Sequence, residues 1–94
     1  MGRYLALWEE EPAHTPADPQ ERLAMVENVF PGVQKGLESG MIKEWGAMLG
    51  LHKGFGVYEG SEAEVSAFLQ QFAPWFRSEV HAVISAPELA PMFS

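Results

Sequence analysis

Two helix-opening signals bracket a period-two hairpin in this 94-residue chain, and that order leaves few folds open. Asp18-Pro19-Gln20-Glu21 offers an N-cap, a proline at the first helical position and a D-x-x-E box. Behind it Leu23, Val26, Phe30, Val33 and Leu37 recur three and four apart, which predicts a helix with one apolar stripe and Gly40 just past its end. Pro31-Gly32 interrupts that stripe. A proline inside a helix costs about 3 kcal/mol, so a kink or two abutting helices is expected near Phe30. Ser61-Glu62-Ala63-Glu64 is a second capping box, and Val65, Phe68, Leu69 and Phe72 form the stripe of a second helix that Pro74 ends.

The remaining segments read as strands. Arg3 to Glu9 alternates Tyr4, Ala6 and Trp8 with Leu5 and Leu7, apolar on both faces. Met41 to Leu49 and Lys53 to Glu59 form a hairpin about Gly50–Gly54, a turn that places Trp45 near Tyr58 and Ala47 near Gly56. Phe76 to Ile84 alternates Val80, Ala82 and Ile84 with Arg77, Glu79 and His81. The order is β-α-β-β-α-β, the ferredoxin-like split β-α-β arrangement. Right-handed crossovers then give an α+β domain with a four-stranded antiparallel sheet in the order 4-1-3-2 and two helices on one face. One domain is expected over 1–94, with 86–94 as a C-terminal arm or short helix.

Parity assigns the faces. The helical stripes are expected to cover Leu5, Leu7, Phe55, Val57, Val80 and Ile84, with Ile42 and Met48 on the same side. Tyr4, Trp8, Trp45, Tyr58, Arg77, Glu79 and His81 then share the other face. A lone domain leaves such a face polar. An aromatic one implies a second subunit or a ligand.

The apolar fraction of 47% is enough for a core without staples, and there is no cysteine for a disulfide, a thiolate metal site or a thiol nucleophile. That composition fits a reducing cytoplasm. No signal-peptide run follows Met1, and Ala6 spoils Met1-Gly2 as an acylation signal. A net charge of −7 repels phosphate, so neither nucleic acid nor an anionic membrane is an expected partner.

Gly54-Phe55-Gly56-Val57-Tyr58-Glu59-Gly60, the S-x-x-E helix and Phe76-Arg77-Ser78-Glu79-Val80-His81-Ala82-Val83 together resemble the second half of dimeric α/β-barrel proteins. The pattern is similar to that of small prokaryotic domains of unknown function and, more distantly, to muconolactone isomerases. It spans roughly Arg3 to Ser85. The resemblance implies a homodimer joined through its sheet faces. It implies no particular reaction, because that superfamily hosts isomerases, cofactor-free monooxygenases, haem enzymes and proteins of unknown role.

Several side chains carry candidate chemistry. His81 beside Glu79 is a possible general base or a dimer-interface histidine. His14, His52 and Glu11 fall with Trp75 at one sheet edge, where the long loop Glu10–Ala17 gathers with the hairpin tip. The histidines lack H-x-H or H-E-x-x-H spacing, so no metal is expected. Glu9, Glu10 and Glu11 read as a solvated strand exit. Tyr4, Trp8, Trp45, Tyr58, Glu79 and His81 are the expected ligand-binding set, and His81, Tyr58 and His52 the catalytic candidates. Gly54-Phe55-Gly56 lies inside a hairpin strand and is no dinucleotide loop. Three functions follow: a dimeric binding or structural domain without cofactor, a cofactor-independent isomerase or monooxygenase acting on a small, apolar or aromatic molecule, or, on His81 and His52 alone, a haem or metal protein of the same fold.

Overall fold

A computed structural model describes residues 2–50 and 52–93. Met1, and Leu51 of the expected turn, lie outside them. The elements are β1 (Gly2–Glu10), α1 (Pro19–Ser39), β2 (Ile42–Ala47), β3 (Lys53–Gly60), α2 (Glu62–Gln70), β4 (Phe76–Val83) and α3 (Ala86–Leu89), followed by a 3-10 turn over Ala90–Phe93. All strand pairs are antiparallel and the sheet order is β2-β3-β1-β4, as expected. The arrangement is α+β and compatible with a ferredoxin-like fold.

Capping chemistry sets the helix ends. The N–H of Ser61 donates to the Glu64 carboxylate at 3.0 Å, and the N–H of Glu64 donates to the Ser61 hydroxyl at 3.1 Å. Those bonds to the Ser61 backbone and then to its side chain hold the Glu64 carboxyl below its ordinary range. Gly40 ends α1 with φ of 86°, a left-handed conformation that favours glycine. Asp18 is the N-cap of α1 with Pro19 next to it, as expected, but two further readings of α1 need qualifying. The Asp18 side chain makes no cap hydrogen bond, and of the two alternatives at Pro31 a pair of abutting helices is ruled out, because the helix runs on as one element. The buried stripe is also turned. Met25, Val33 and Gly36 face inward, while Leu23, Val26, Phe30 and Leu37 are about half exposed. Gly36 lets the helix layer approach β2, since a Cβ there would stand 2.5 Å from Ile42 Cδ1 and 2.8 Å from Phe68 Cζ.

The core between helices and sheet is built on Ala6, Val33, Ile42, Tyr58 and Val65, with Tyr4, Trp45, Phe68, Leu69 and Phe72 packed around it. This reverses the expected parity of β1 and β3. Tyr4, Trp8 and Tyr58 face the helices. Leu5, Leu7, Phe55 and Val57 face the other way, where Leu5 pairs with His81 and Leu7 with Glu79. In β4 the expectation holds, because Val80 pairs with inward Ala6. In β2 a bulge between Ile42 and Glu44 intervenes. One extra residue flips the side-chain parity, so Ile42 and Trp45 both reach the helix side. The hairpin is also shifted by two residues: Trp45 pairs with Gly56, Ala47 with Gly54 and Ile42 with Tyr58.

Candidate functional site

Trp8 and Trp45 form the floor of the site. They come from β1 and β2, on either side of β3, yet their rings stack with centroids 5.1 Å apart and planes 9° from parallel. Phe76 meets Trp8 edge-on at 5.4 Å, and Phe30 of α1 meets Trp45 at 6.3 Å. Above this floor lies a cavity of about 290 Å³ between the helices and the sheet. Val26, Val29 and Val33 of α1, Leu69 of α2 and Phe72 in the turn after it add to its apolar wall. The volume is near the lower end of small-molecule pockets, which run from about 300 Å³ upward.

The polar end is made by Glu10 and Arg22. Glu10 continues the parity of Trp8, so it points inward as the strand ends; only 5% of its side chain is exposed. A buried carboxylate needs partners. Arg22 Nη1 donates to Oε1 at 2.6 Å and Nη2 to Oε2 at 3.0 Å, a bidentate fork. His52 Nδ1 lies 2.6 Å from Oε2, and an ionised carboxylate only accepts, so Nδ1 carries the hydrogen of that bond. The backbone closes the same corner: the N–H of Glu10 donates to His52 O at 2.9 Å, and the N–H of Glu11 to Trp75 O at 2.8 Å. The loop, the hairpin tip and Trp75 thus gather at one sheet edge as their order in the chain requires.

Two polar atoms define the interior. Burial pushes the Tyr58 phenol up to about 12, because the phenolate is poorly solvated there, and the neighbouring Trp45 side chain offsets part of that rise. The Trp8 N–H is buried and has no hydrogen-bond partner among the described residues. An unpaired buried donor costs about 1–3 kcal/mol.

The expected ligand-binding set is therefore divided. Trp8, Trp45 and Tyr58 converge on the cavity, and Tyr4 packs in the core beside it. Glu79 and His81 lie on the opposite face, where His81 Nε2 stands 3.3 Å from Glu79 Oε2. The aromatic group is not the exposed face that strand parity predicts; it looks into the helix layer. His52 stands at the site's edge on Glu10 and is not part of the cavity wall. His14 is exposed and its N–H donates to Glu11 O at 3.0 Å. Glu10 and Arg22 are the residues that reading the sequence missed. Glu10 is no solvated strand exit. The signal available was its even number, shared with Tyr4, Ala6 and Trp8.

On the other sheet face, Leu5, Leu7, Phe55, Val57 and Val83 form an apolar strip. Ion pairs flank it: Arg3 with Glu59 at 2.6 Å and Arg77 with Glu9 at 2.5 Å. Among the described residues, no group of three or more His, Asp or Glu could hold a metal ion, and no helix is long and apolar enough to cross a membrane. Neither a family model nor a curated protein matches the chain.

Proposed function

We propose that this chain is a small-molecule-binding domain whose ligand is compact and apolar or aromatic, and that two copies associate through the apolar strip of their sheets. One observation carries the binding reading: a cavity of about 290 Å³, floored by the stacked Trp8 and Trp45, has a charged corner at Glu10 and Arg22. Apolar pockets with few convergent polar groups are the usual form of ligand sites. The strip of Leu5, Leu7, Phe55 and Val57 supports the homodimer, since an uncovered sheet face is ordinarily polar. In this reading the chain belongs with the dimeric α/β-barrel proteins it resembles and works in the cytoplasm.

The test is a titration with naphthalene-sized aromatics, followed by the two indole N–H resonances of Trp8 and Trp45. Saturable shifts at both indoles are expected, and Val29→Trp, which fills the cavity, should abolish them. Flat indole resonances up to the solubility limit of every ring tried would overturn the reading.

A cofactor-independent isomerase or monooxygenase is the second reading, and the Glu10–His52 contact of 2.6 Å favours it, because a carboxylate orients an imidazole for base catalysis. Against it stand His52 outside the cavity wall and a Tyr58 phenol held protonated by burial. Catalysis requires that His52→Ala remove turnover while aromatic binding persists.

A further inference from the structure

We infer that the cavity selects an uncharged planar aromatic molecule, about two fused rings in size and bearing a hydroxyl or carbonyl group, and rejects the matching acid or ammonium. This rests on the binding reading above and deepens it.

Size comes from the volume. A cavity of about 150 Å³ takes a single benzene ring, so about 290 Å³ takes two. Shape comes from the walls: Trp8 and Trp45 lie within 9° of parallel, leaving outer ring faces for a guest, and Phe30 and Phe76 stand edge-on to them. Offset stacking on such a floor favours a planar guest.

Charge selection comes from the two ionised side chains that the described residues place in the wall. Glu10 and Arg22 are paired through both carboxylate oxygens, so the corner they form carries no net charge. His52 takes part through Nδ1 and does not enter the wall. An anionic guest has to displace Glu10 from Arg22 or lose its hydration without a counter-charge. A cationic guest faces the converse. Either route is expensive in an apolar site. A neutral polar group meets neither obstacle. Two of the five Arg22 N–H donors are committed to Glu10, a carboxylate oxygen accepts more than one hydrogen bond, and the Ser78 hydroxyl also lines the wall. The Tyr58 phenol, pushed up to about 12 by burial, reports the same penalty on charge inside the wall.

The experiment is calorimetric titration of the whole chain at neutral pH with three probes of one ring system: 2-naphthol, 2-naphthoate and 2-naphthylmethylammonium. Expected is 2-naphthol binding at least about tenfold more tightly than either ion, a gap of about 1.4 kcal/mol. In Glu10→Gln, which frees the Arg22 charge, 2-naphthoate should gain at least about tenfold on 2-naphthol. If that variant does not fold, the ranking on the native chain decides alone. Either ion matching 2-naphthol on the native chain overturns the charge selection while leaving the binding site standing. Silence from all three probes overturns the site itself and this inference with it.

Discussion

Trp8 and Trp45 stack across an intervening strand because the residues of β3 between them have no side chains. Trp8 pairs with Gly54 and Trp45 with Gly56; the missing Cβ of Gly54 leaves a gap for the Trp8 ring, and that of Gly56 leaves room for the Tyr58 ring. A Cβ on Gly54 would strike both the Trp8 ring and the carbonyl oxygen of Gly46. The gap makes the floor of the cavity, and the floor makes the site.

Gly54→Ala is therefore expected to destabilise the protein by about 1–3 kcal/mol, the usual range for overpacking. Its rigid backbone neighbour leaves little room for relaxation. Urea denaturation checks this, and an alanine tolerated within a few tenths of a kcal/mol would mean that the indoles do not meet over β3.

Glu10→Ala leaves the Arg22 guanidinium half-buried without its fork. A loss of about 1–3 kcal/mol is expected. Removing both charges together, as Glu10→Gln with Arg22→Met, should recover much of it, because the orphaned cation is gone. A double-mutant cycle measures the coupling. Strict additivity would show that the pair is not formed in solution.

Alkali probes Tyr58. Its phenol is raised from the ordinary 10.0 to about 12 in the folded chain, so the folded state holds this proton longer than the unfolded one. The associated stability is complete below pH 10, falls as the pH climbs toward 12, and is gone above. The size is about 2–3 kcal/mol. Tyr58→Phe should flatten that decline relative to the parent in denaturation curves across the window; parallel curves would place Tyr58 in water.

Association and monomer packing separate cleanly on two substitutions. Leu7→Lys, on the strip opposite the helices, should shift sedimentation from dimer toward monomer. Trp45→Ala, inside the helix layer, should lower the melting temperature equally at all protein concentrations, since only residues buried between subunits link folding to mass action. Concentration dependence in the Trp45 variant would return that indole to an interface.

The element order was legible because each boundary carries its own local chemistry. Ser61 and Glu64 announce a helix start, Gly40 a helix end, and the alternation of Val80 and Ala82 with charged residues gives β4 its correct inward side. Parity in β1 and β3 was not legible from alternation alone. Both residue sets there are apolar, so period two separates them without saying which one meets the helices. Large aromatics suggest an interface, and that preference pointed the wrong way. The decisive signs were quieter. Arg3, Glu9, Lys53 and Glu59 cap the ends of the Leu5–Leu7 and Phe55–Val57 set, marking it as the wetter face. Gly54 sits in register with Trp8 and leaves its ring space, while Gly56 makes room for the inward ring of Tyr58. The bulge in β2 has no sequence signature of its own, and it moves Trp45 across the sheet. Glu10 and Arg22 are 12 residues apart and on different elements; only the fold joins them.

Two indoles held nearly parallel at 5.1 Å do not absorb light independently. Their transitions couple, so the folded chain carries a built-in optical signature, a split circular-dichroism band in the ultraviolet that neither tryptophan gives by itself. Any guest that slides between the helices and this pair perturbs that band. The molecule thus reports its own occupancy, with no label attached.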